Sequence, residues 1–172
     1  GQAGLARVEL KGKEALGVVA HFQNDGAGSV DEFSWASQFN RGMFERLRAA
    51  GLDLENVVHY CGATHYFVAT PTRECLVSGG VLSADGAVDQ VDYDALRSFM
   101  RKLATFYGLP EATPCLPQPH GAMLFDFSKR ASTSEAVKYL VDEKSGAQLA
   151  VLVVGDALME PFWPEGLGVN RG

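Results

Sequence analysis

The residues from Gln148 to Gly172 constrain the fold more than any other stretch. Six apolar residues in a row, Leu149-Ala-Val-Leu-Val-Val154, run into Gly155-Asp156, then Pro161-Phe-Trp-Pro164 and Gly166-Leu-Gly168. An apolar run of that length bounded by turn formers predicts a strand buried on both faces, as in a layered α/β sheet. A buried strand that ends in Gly-Asp and leads through a Gly-rich turn to a helix start presents backbone N–H groups to an anionic ligand.

Each residue of that turn has a physical reason to be there. Gly155 lets the chain turn where a side chain would collide with a ligand, and Asp156 offers an acceptor to sugar or ribityl hydroxyls. Pro164 fixes φ ahead of the turn, while Gly166 and Gly168 permit positive φ and a close approach of main chain to a pyrophosphate or ring. Trp163 supplies an indole for stacking or for excluding water. Flavin is the first candidate ligand. The same residues also suit an ordinary packed strand-end turn, and by themselves they leave both readings open.

Two long motifs carry a resemblance. Gly155-Asp-Ala-Leu-Met-Glu-Pro-Phe-Trp-Pro-Glu-Gly-Leu-Gly-Val-Asn-Arg-Gly172 resembles the second FAD-contacting motif of the MICAL flavoprotein monooxygenases, which runs GD, two or three apolar residues, EPFWP, then GTG and ARG. Upstream, Gly51-Leu-Asp-Leu-Glu-Asn-Val-Val-His-Tyr-Cys-Gly-Ala-Thr-His-Tyr-Phe-Val-Ala-Thr70 is similar to that family's G-[IV]-DLEN-[IV]-V-Y-Y, short turn, THYFVMT. Weaker agreement occurs at Leu16–Phe22, at Phe39-Asn40 with Phe44, and at Met123–Ser128, so the likeness is collinear over nearly the whole chain.

The resemblance implies an α/β fold like that of FAD-dependent aromatic hydroxylases, a mixed sheet with flanking helices. Residues 1–147 would form the substrate or roof part, and residues 148–172 the returning strand and second FAD-contacting motif of the Rossmann-type part. It implies FAD and NADPH as cofactors, and methionine on actin or another cytoskeletal protein as substrate. Gly155, Asp156, Pro164, Gly166 and Gly168 would contact FAD, Trp163 would lie near the isoalloxazine where it could position a methionine thioether, and Tyr66 would approach the active-site channel or else stand as an ordinary aromatic of the sheet. Localisation would be cytoplasmic, with the cytoskeleton. Such a cofactor supplies the redox chemistry, and the protein supplies position and exclusion of water.

Departures from the family pattern qualify what this chain does alone. No G-x-G-x-x-G is present: the nearest approach is Gly26-Ala-Gly28-Ser, with Asp31 at the third Gly position. That fingerprint ordinarily binds the dinucleotide pyrophosphate. The chain is therefore expected to be the second part of a monooxygenase domain, cut at both ends, inactive alone and completed by the remainder of its parent chain. Leu167 stands where the family has Thr, and Asn170 where it has Ala. The competing expectation is a catalytically inactive form of the fold, serving as a structural or interaction module in a larger assembly.

Composition excludes other classes. With 172 residues, 47% hydrophobic and 21% charged, the chain is long and apolar enough to bury a core. A formal charge of -6 argues against a nucleic-acid partner. No apolar run approaches the ~20 residues that span a bilayer. Cys61, Cys75 and Cys115 are odd in number and widely spaced, which suits reduced thiols. Cys61 and His65 lie four apart without a second ligand pair, so no metal site is expected.

Periodicity places the elements. Ala6–Leu10 and Ala15–Phe22 read as strands, and Gln23–Ser29 as a polar turn. Met43, Phe44 and Leu47 recur at helical spacing over Asn40–Ala50, ended by Gly51. Val57–Tyr60 and His65–Val68 read as a hairpin around Cys61-Gly62-Ala63. Thr72–Val77 reads as a short helix capped by Thr70 or Thr72, and Asp92–Tyr107 as a long one with a stripe of Leu96, Phe99, Met100, Leu103 and Phe106. The prolines of Leu109–Gly121 predict an extended connector. Phe125–Phe127 reads as a strand, Ser134–Val141 as a short helix, and Gln148–Val154 as the final strand. His59 and His65 read as polar sheet residues. Asp156 and Glu160 could form an acid–base pair, but the resemblance assigns Asp156 to flavin hydroxyls and leaves Glu160 structural, in either a buried hydrogen-bonding or an exposed role.

Overall fold

The mostly apolar run from Leu16 to Phe22 forms an inner strand of a five-stranded sheet, and the helical stripes further along the chain produce the layer that covers one side of it. A computed structural model describes residues 4–12, 14–26, 30–117 and 121–160. In chain order the strands and helices are β1 (Arg7–Lys11), β2 (Leu16–Gln23), β3 (Phe33–Ala36), α1 (Arg41–Ala49), β4 (Leu54–Cys61), β5 (Thr64–Pro71), α2 (Arg73–Ser78), α3 (Tyr93–Phe106), β6 (Ala122–Asp126), β7 (Lys129–Thr133), β8 (Val137–Val141) and β9 (Gln148–Leu152). A 3-10 turn follows at Gly155–Ala157. The chain divides into two compact units, one of Ala15–Asp126 and one of Gly1–Glu14 with Phe127–Gly172.

In the Ala15–Asp126 unit the strand order is β3-β4-β5-β2-β6, and every pairing is antiparallel. Side chains alternate across a strand, so one face receives Leu16, Val18, Ala20 and Phe22 of β2, Phe67 and Ala69 of β5 and Val57 of β4. The same core takes Phe44 and Leu47 from α1, Cys75 and Leu76 from α2, and Leu96, Phe99, Met100, Leu103 and Ala104 from α3. All three helices therefore cover one face. Local chemistry sets their ends: the Asp92 carboxylate accepts hydrogen bonds from the Asp94 and Ala95 amides, and the Thr72 hydroxyl accepts one from the Cys75 amide. After α1, Gly51 takes φ +77° and lets the Leu52 amide reach back to the Leu47 carbonyl at 2.9 Å.

The other unit is built from two ribbons. β1 pairs with β7, and β8 pairs with β9, both antiparallel. The Glu160 side chain secures the first ribbon: one carboxylate oxygen accepts from the Arg7 guanidinium and the other from the Ala131 amide at 2.7 Å. Main chain adds a Glu160 amide to Ala131 carbonyl bond of 2.9 Å.

Three expectations change. The stretch Ser134–Val141 is not a helix: Val137–Val141 is strand β8, because β-branched and aromatic residues at Val137, Tyr139 and Val141 alternate and pair with β9. The connecting turn is built by the Asp142 carboxylate, which accepts from the Lys144 amide and the Ser145 hydroxyl, and by Gly146 at φ +70°. The final apolar run is not buried on both faces. Its strand β9 pairs with β8 alone among the described residues, and Leu149, Leu152 and Val154 are 61%, 66% and 68% exposed. A ribbon of two strands has no third strand or covering layer of its own. Finally, the sheets of the described residues are antiparallel throughout rather than mixed. Strands β3 and β7 were not expected: β3 is short, and Lys129-Arg-Ala-Ser-Thr133 has no apolar pattern and owes its conformation to β1 and Glu160.

Candidate functional site

The face of the five-stranded sheet opposite the helices is organised in rows by strand register. His21 of β2 pairs with Tyr66 of β5, and Tyr66 pairs in turn with Tyr60 of β4, so three rings stand side by side across three strands. The His21 and Tyr66 rings stack with centroids 4.4 Å apart and planes at 21°, and Tyr60 lies 6.2 Å from Tyr66 at 17°. His21 Nδ1 shares a 3.1 Å hydrogen bond with the Thr64 hydroxyl. The neighbouring row is aliphatic, Met123, Val19, Val68 and Val58, and beyond it lies Phe125 opposite Gly17. Burial, followed by the nearby Tyr60, pushes the Tyr66 phenol above its ordinary value, so at neutral pH it is a hydroxyl that donates and accepts.

On the helix side a polar pair lies in the core. His59 is fully buried and His65 nearly so. His59 Nδ1 lies 3.0 Å from the Asp31 carbonyl, and His59 Nε2 lies 3.2 Å from His65 Nδ1. A carbonyl only accepts, so His59 donates from Nδ1, and in the neutral pair His65 Nδ1 donates to His59 Nε2. The tautomers are thereby fixed in series, which makes the pair a buried hydrogen-bonded link. Burial lowers the His65 value first, His59 lowers it further, and Asp25 opposes both.

That lowered value predicts acid sensitivity. Above pH 6.5, the ordinary imidazole value, both folded and unfolded states are neutral and no penalty exists. As pH falls through 6.5 the unfolded chain binds a proton that the folded chain resists, and stability drops until the pH passes below the folded value. The melting temperature should fall between about pH 7 and pH 5 in the wild type, and His65→Gln should flatten that segment of the curve. An unchanged slope in His65→Gln would assign the acid response to other groups.

The cysteines are free thiols, and burial raises both Cys75 and Cys115, which keeps them protonated and weakly nucleophilic. Among the described residues no group of three or more metal-binding side chains occurs.

The Gly155-Asp156 turn belongs to the other unit. Gly155 adopts φ +58°, a left-handed conformation that favours glycine, and a single 3-10 turn follows in place of a longer helix start. The Asp156 side chain is exposed, and no described residue hydrogen-bonds or ion-pairs with its carboxylate. Glu160, by contrast, is spent on Arg7 and Ala131, which makes it structural and removes the acid–base pair with Asp156. Trp163, Pro164, Gly166 and Gly168 lie outside the described residues. Tyr66 is thus placed on the face opposite the described helices, and Gly155 and Asp156 in one turn. Sequence reading did not single out His21, because only the register of β2 on β5 brings it beside Tyr66.

The fold is that of an α/β protein, and residues 14–113 match the family model described as "Mical, Rossman domain", a stretch that runs from β2 through α3. The chain belongs to this MICAL family. Among its relatives it is 40% identical over 98% of its length to the human F-actin monooxygenase MICAL3. It is 39% identical over 99% to the zebrafish (Danio rerio) protein-methionine sulfoxide oxidase mical3a, and 37% identical over 95% to the human F-actin monooxygenase MICAL1. The chain spans only 9% of the two former proteins and 17% of the last. No described helix is long and apolar enough to cross a membrane.

Proposed function

We propose that this chain is part of an FAD- and NADPH-dependent monooxygenase that oxidises methionine sulfur on actin, and that it acts with the cytoskeleton in the cytoplasm. The observation that carries this reading is the near-complete, roughly 40% identity to proteins named for that activity. The described turn fits the cofactor: an exposed Asp156 carboxylate with no described partner suits ribityl or sugar hydroxyls, and Gly155 brings main chain close without a side chain. Residues 148–172 supply this contact, with Gly155, Asp156, Pro164, Gly166 and Gly168 against the flavin and Trp163 beside its ring, and residues 1–147 belong to the substrate part.

When bound, the flavin supplies reduction of dioxygen by NADPH and delivery of one oxygen atom to sulfur. The protein's own residues orient and exclude water. Tyr66 presents a neutral hydroxyl and a ring edge on an apolar sheet surface, suited to holding a thioether, since sulfur–aromatic contacts, often at the ring edge, contribute about 0.3–1.5 kcal/mol. The product is methionine sulfoxide, a polar group in place of an apolar one.

The parent protein should show an oxidised-flavin absorption band after purification and should form methionine sulfoxide on F-actin in the presence of NADPH. A colourless, folded parent that takes up no FAD would instead support a scaffold. Asp156→Ala should weaken flavin retention by about 1.5–3 kcal/mol, the value of a hydrogen bond to a charged group. Flavin content after gel filtration measures it, and content equal to wild type would remove Asp156 from the flavin contacts.

A further inference from the structure

We infer that His21 is a positioning residue for Tyr66, holding the phenol ring in one orientation on the sheet face opposite the described helices. The inference rests on the proposed oxygenase reading for its activity readout, and on geometry alone for the rest. Tyr66 sits near the hairpin end of β5, where a half-exposed side chain on a sheet surface has three staggered χ1 wells within reach. The stacked His21 ring, 4.4 Å away, occupies the space on one side, and Tyr60 stands on the other.

His21 is itself fixed at three points. Its ring nitrogen is bonded to Thr64, two residues before Tyr66 on the same strand. Its amide donates to the Gly121 carbonyl and its carbonyl accepts from the Leu116 amide, both at 2.9 Å. The histidine is thus clamped by backbone and side chain, and the phenol leans on a fixed surface. Tyr60 is 55% exposed and no described residue hydrogen-bonds its side chain, so it is the weaker flank.

Removal of the His21 ring opens the alternative wells. If the three become about equally populated, the productive orientation falls to about a third, and kcat/KM for methionine oxidation falls about threefold. The test uses the full-length parent holoprotein with F-actin and NADPH, with sulfoxide counted by mass spectrometry. His21→Ala and His21→Gln, which both lack the ring, should each lose about threefold, and His21→Phe, which keeps a ring at the same place, should recover it. In a Tyr66→Ala background His21→Ala should add nothing, as expected of a residue that acts through another. With 13C-labelled tyrosine, the Tyr66 ring signals should lose their ring-current shift in His21→Ala and keep it in His21→Phe.

Wild-type kcat/KM and unmoved Tyr66 signals in both ringless variants would overturn the inference while leaving the oxygenase reading intact. So would a threefold loss that persists in the Tyr66→Ala background, because His21 would then act independently. A flavin-loaded parent that forms no sulfoxide would overturn the oxygenase reading, and the ring signals would still decide whether His21 orients Tyr66.

Discussion

Phe67→Ala is expected to lower stability by about 3–5 kcal/mol, the range for truncating a buried aromatic ring. Phe67 is wholly buried at the middle of β5, the strand hydrogen-bonded on both sides. Its ring meets His59 at 4.4 Å, Phe22 edge-on at 6.0 Å and Phe33 at 6.4 Å, so it joins β2, β3 and β4 under the helix layer. Collapse around the void is opposed because the neighbours are strand-anchored rings rather than flexible chains. Domains of this size carry only about 5–15 kcal/mol in total, so the variant should unfold at a much lower urea concentration with little change in slope. A loss under about 1 kcal/mol, the ordinary size for a substitution away from any special feature, would show that the aromatic cluster is not what holds the sheet.

The second large effect concerns His59. His59→Ala should cost about 3–5 kcal/mol, because it leaves a cavity against Phe67 and Phe33 and orphans two groups at once. The Asp31 carbonyl loses its donor and the buried His65 Nδ1–H loses its acceptor. His59→Phe separates the two contributions. It restores ring volume but no hydrogen bond, and should cost about 1–3 kcal/mol, the penalty for buried groups left unmet. Urea denaturation of both variants measures the difference. Equal losses would mean that packing contributes nothing beyond the bonds, and a stabilised Phe variant would mean that the pair is tolerated for a reason other than folding.

Both effects come from residues whose importance was only partly legible in sequence. Leu96, Phe99, Met100 and Leu103 declared the long helix by spacing, and Asp92 declared its start, because helical contacts are local in the chain. The β4–β5 hairpin was legible for the same reason, with Val57–Tyr60 and His65–Val68 flanking a short turn. By residue type alone His59 and His65 are polar residues of a sheet. Nothing in their spacing revealed that they hydrogen-bond to one another inside the core.

Two elements misled because their period was ambiguous or their burial was not local. Ser134–Val141 carries apolar residues compatible with either helix or strand, and pairing with Gln148–Leu152 decided for strand. The run Leu149–Val154 reads as a strand buried on both faces, yet its exposure depends on which layers surround it, and that information lies in other segments. Likewise Lys129–Thr133 has no strand signal, and the Glu160 carboxylate and the facing β1 set its conformation.

The candidate site divides the same way. Gly155 and Asp156 announced their turn by residue type, since positive φ favours glycine and a short carboxylate suits a turn. Tyr66 was reached through a motif. His21 was reachable only through the fold, since it lies 45 positions earlier in the numbering of its partner pair, His21↔Tyr66, and comes beside it by antiparallel register.

By itself, then, the sequence determined the three helices of the Ala15–Asp126 unit, the β4–β5 hairpin turn, and the family to which the chain belongs, because these depend on neighbours along the chain. Tertiary structure alone decided which sheet face the described helices cover, which rings stack across strands, and that Glu160 is engaged by distant groups. Those are outcomes of strand register and packing between distant residues, whose contacts no local pattern encodes.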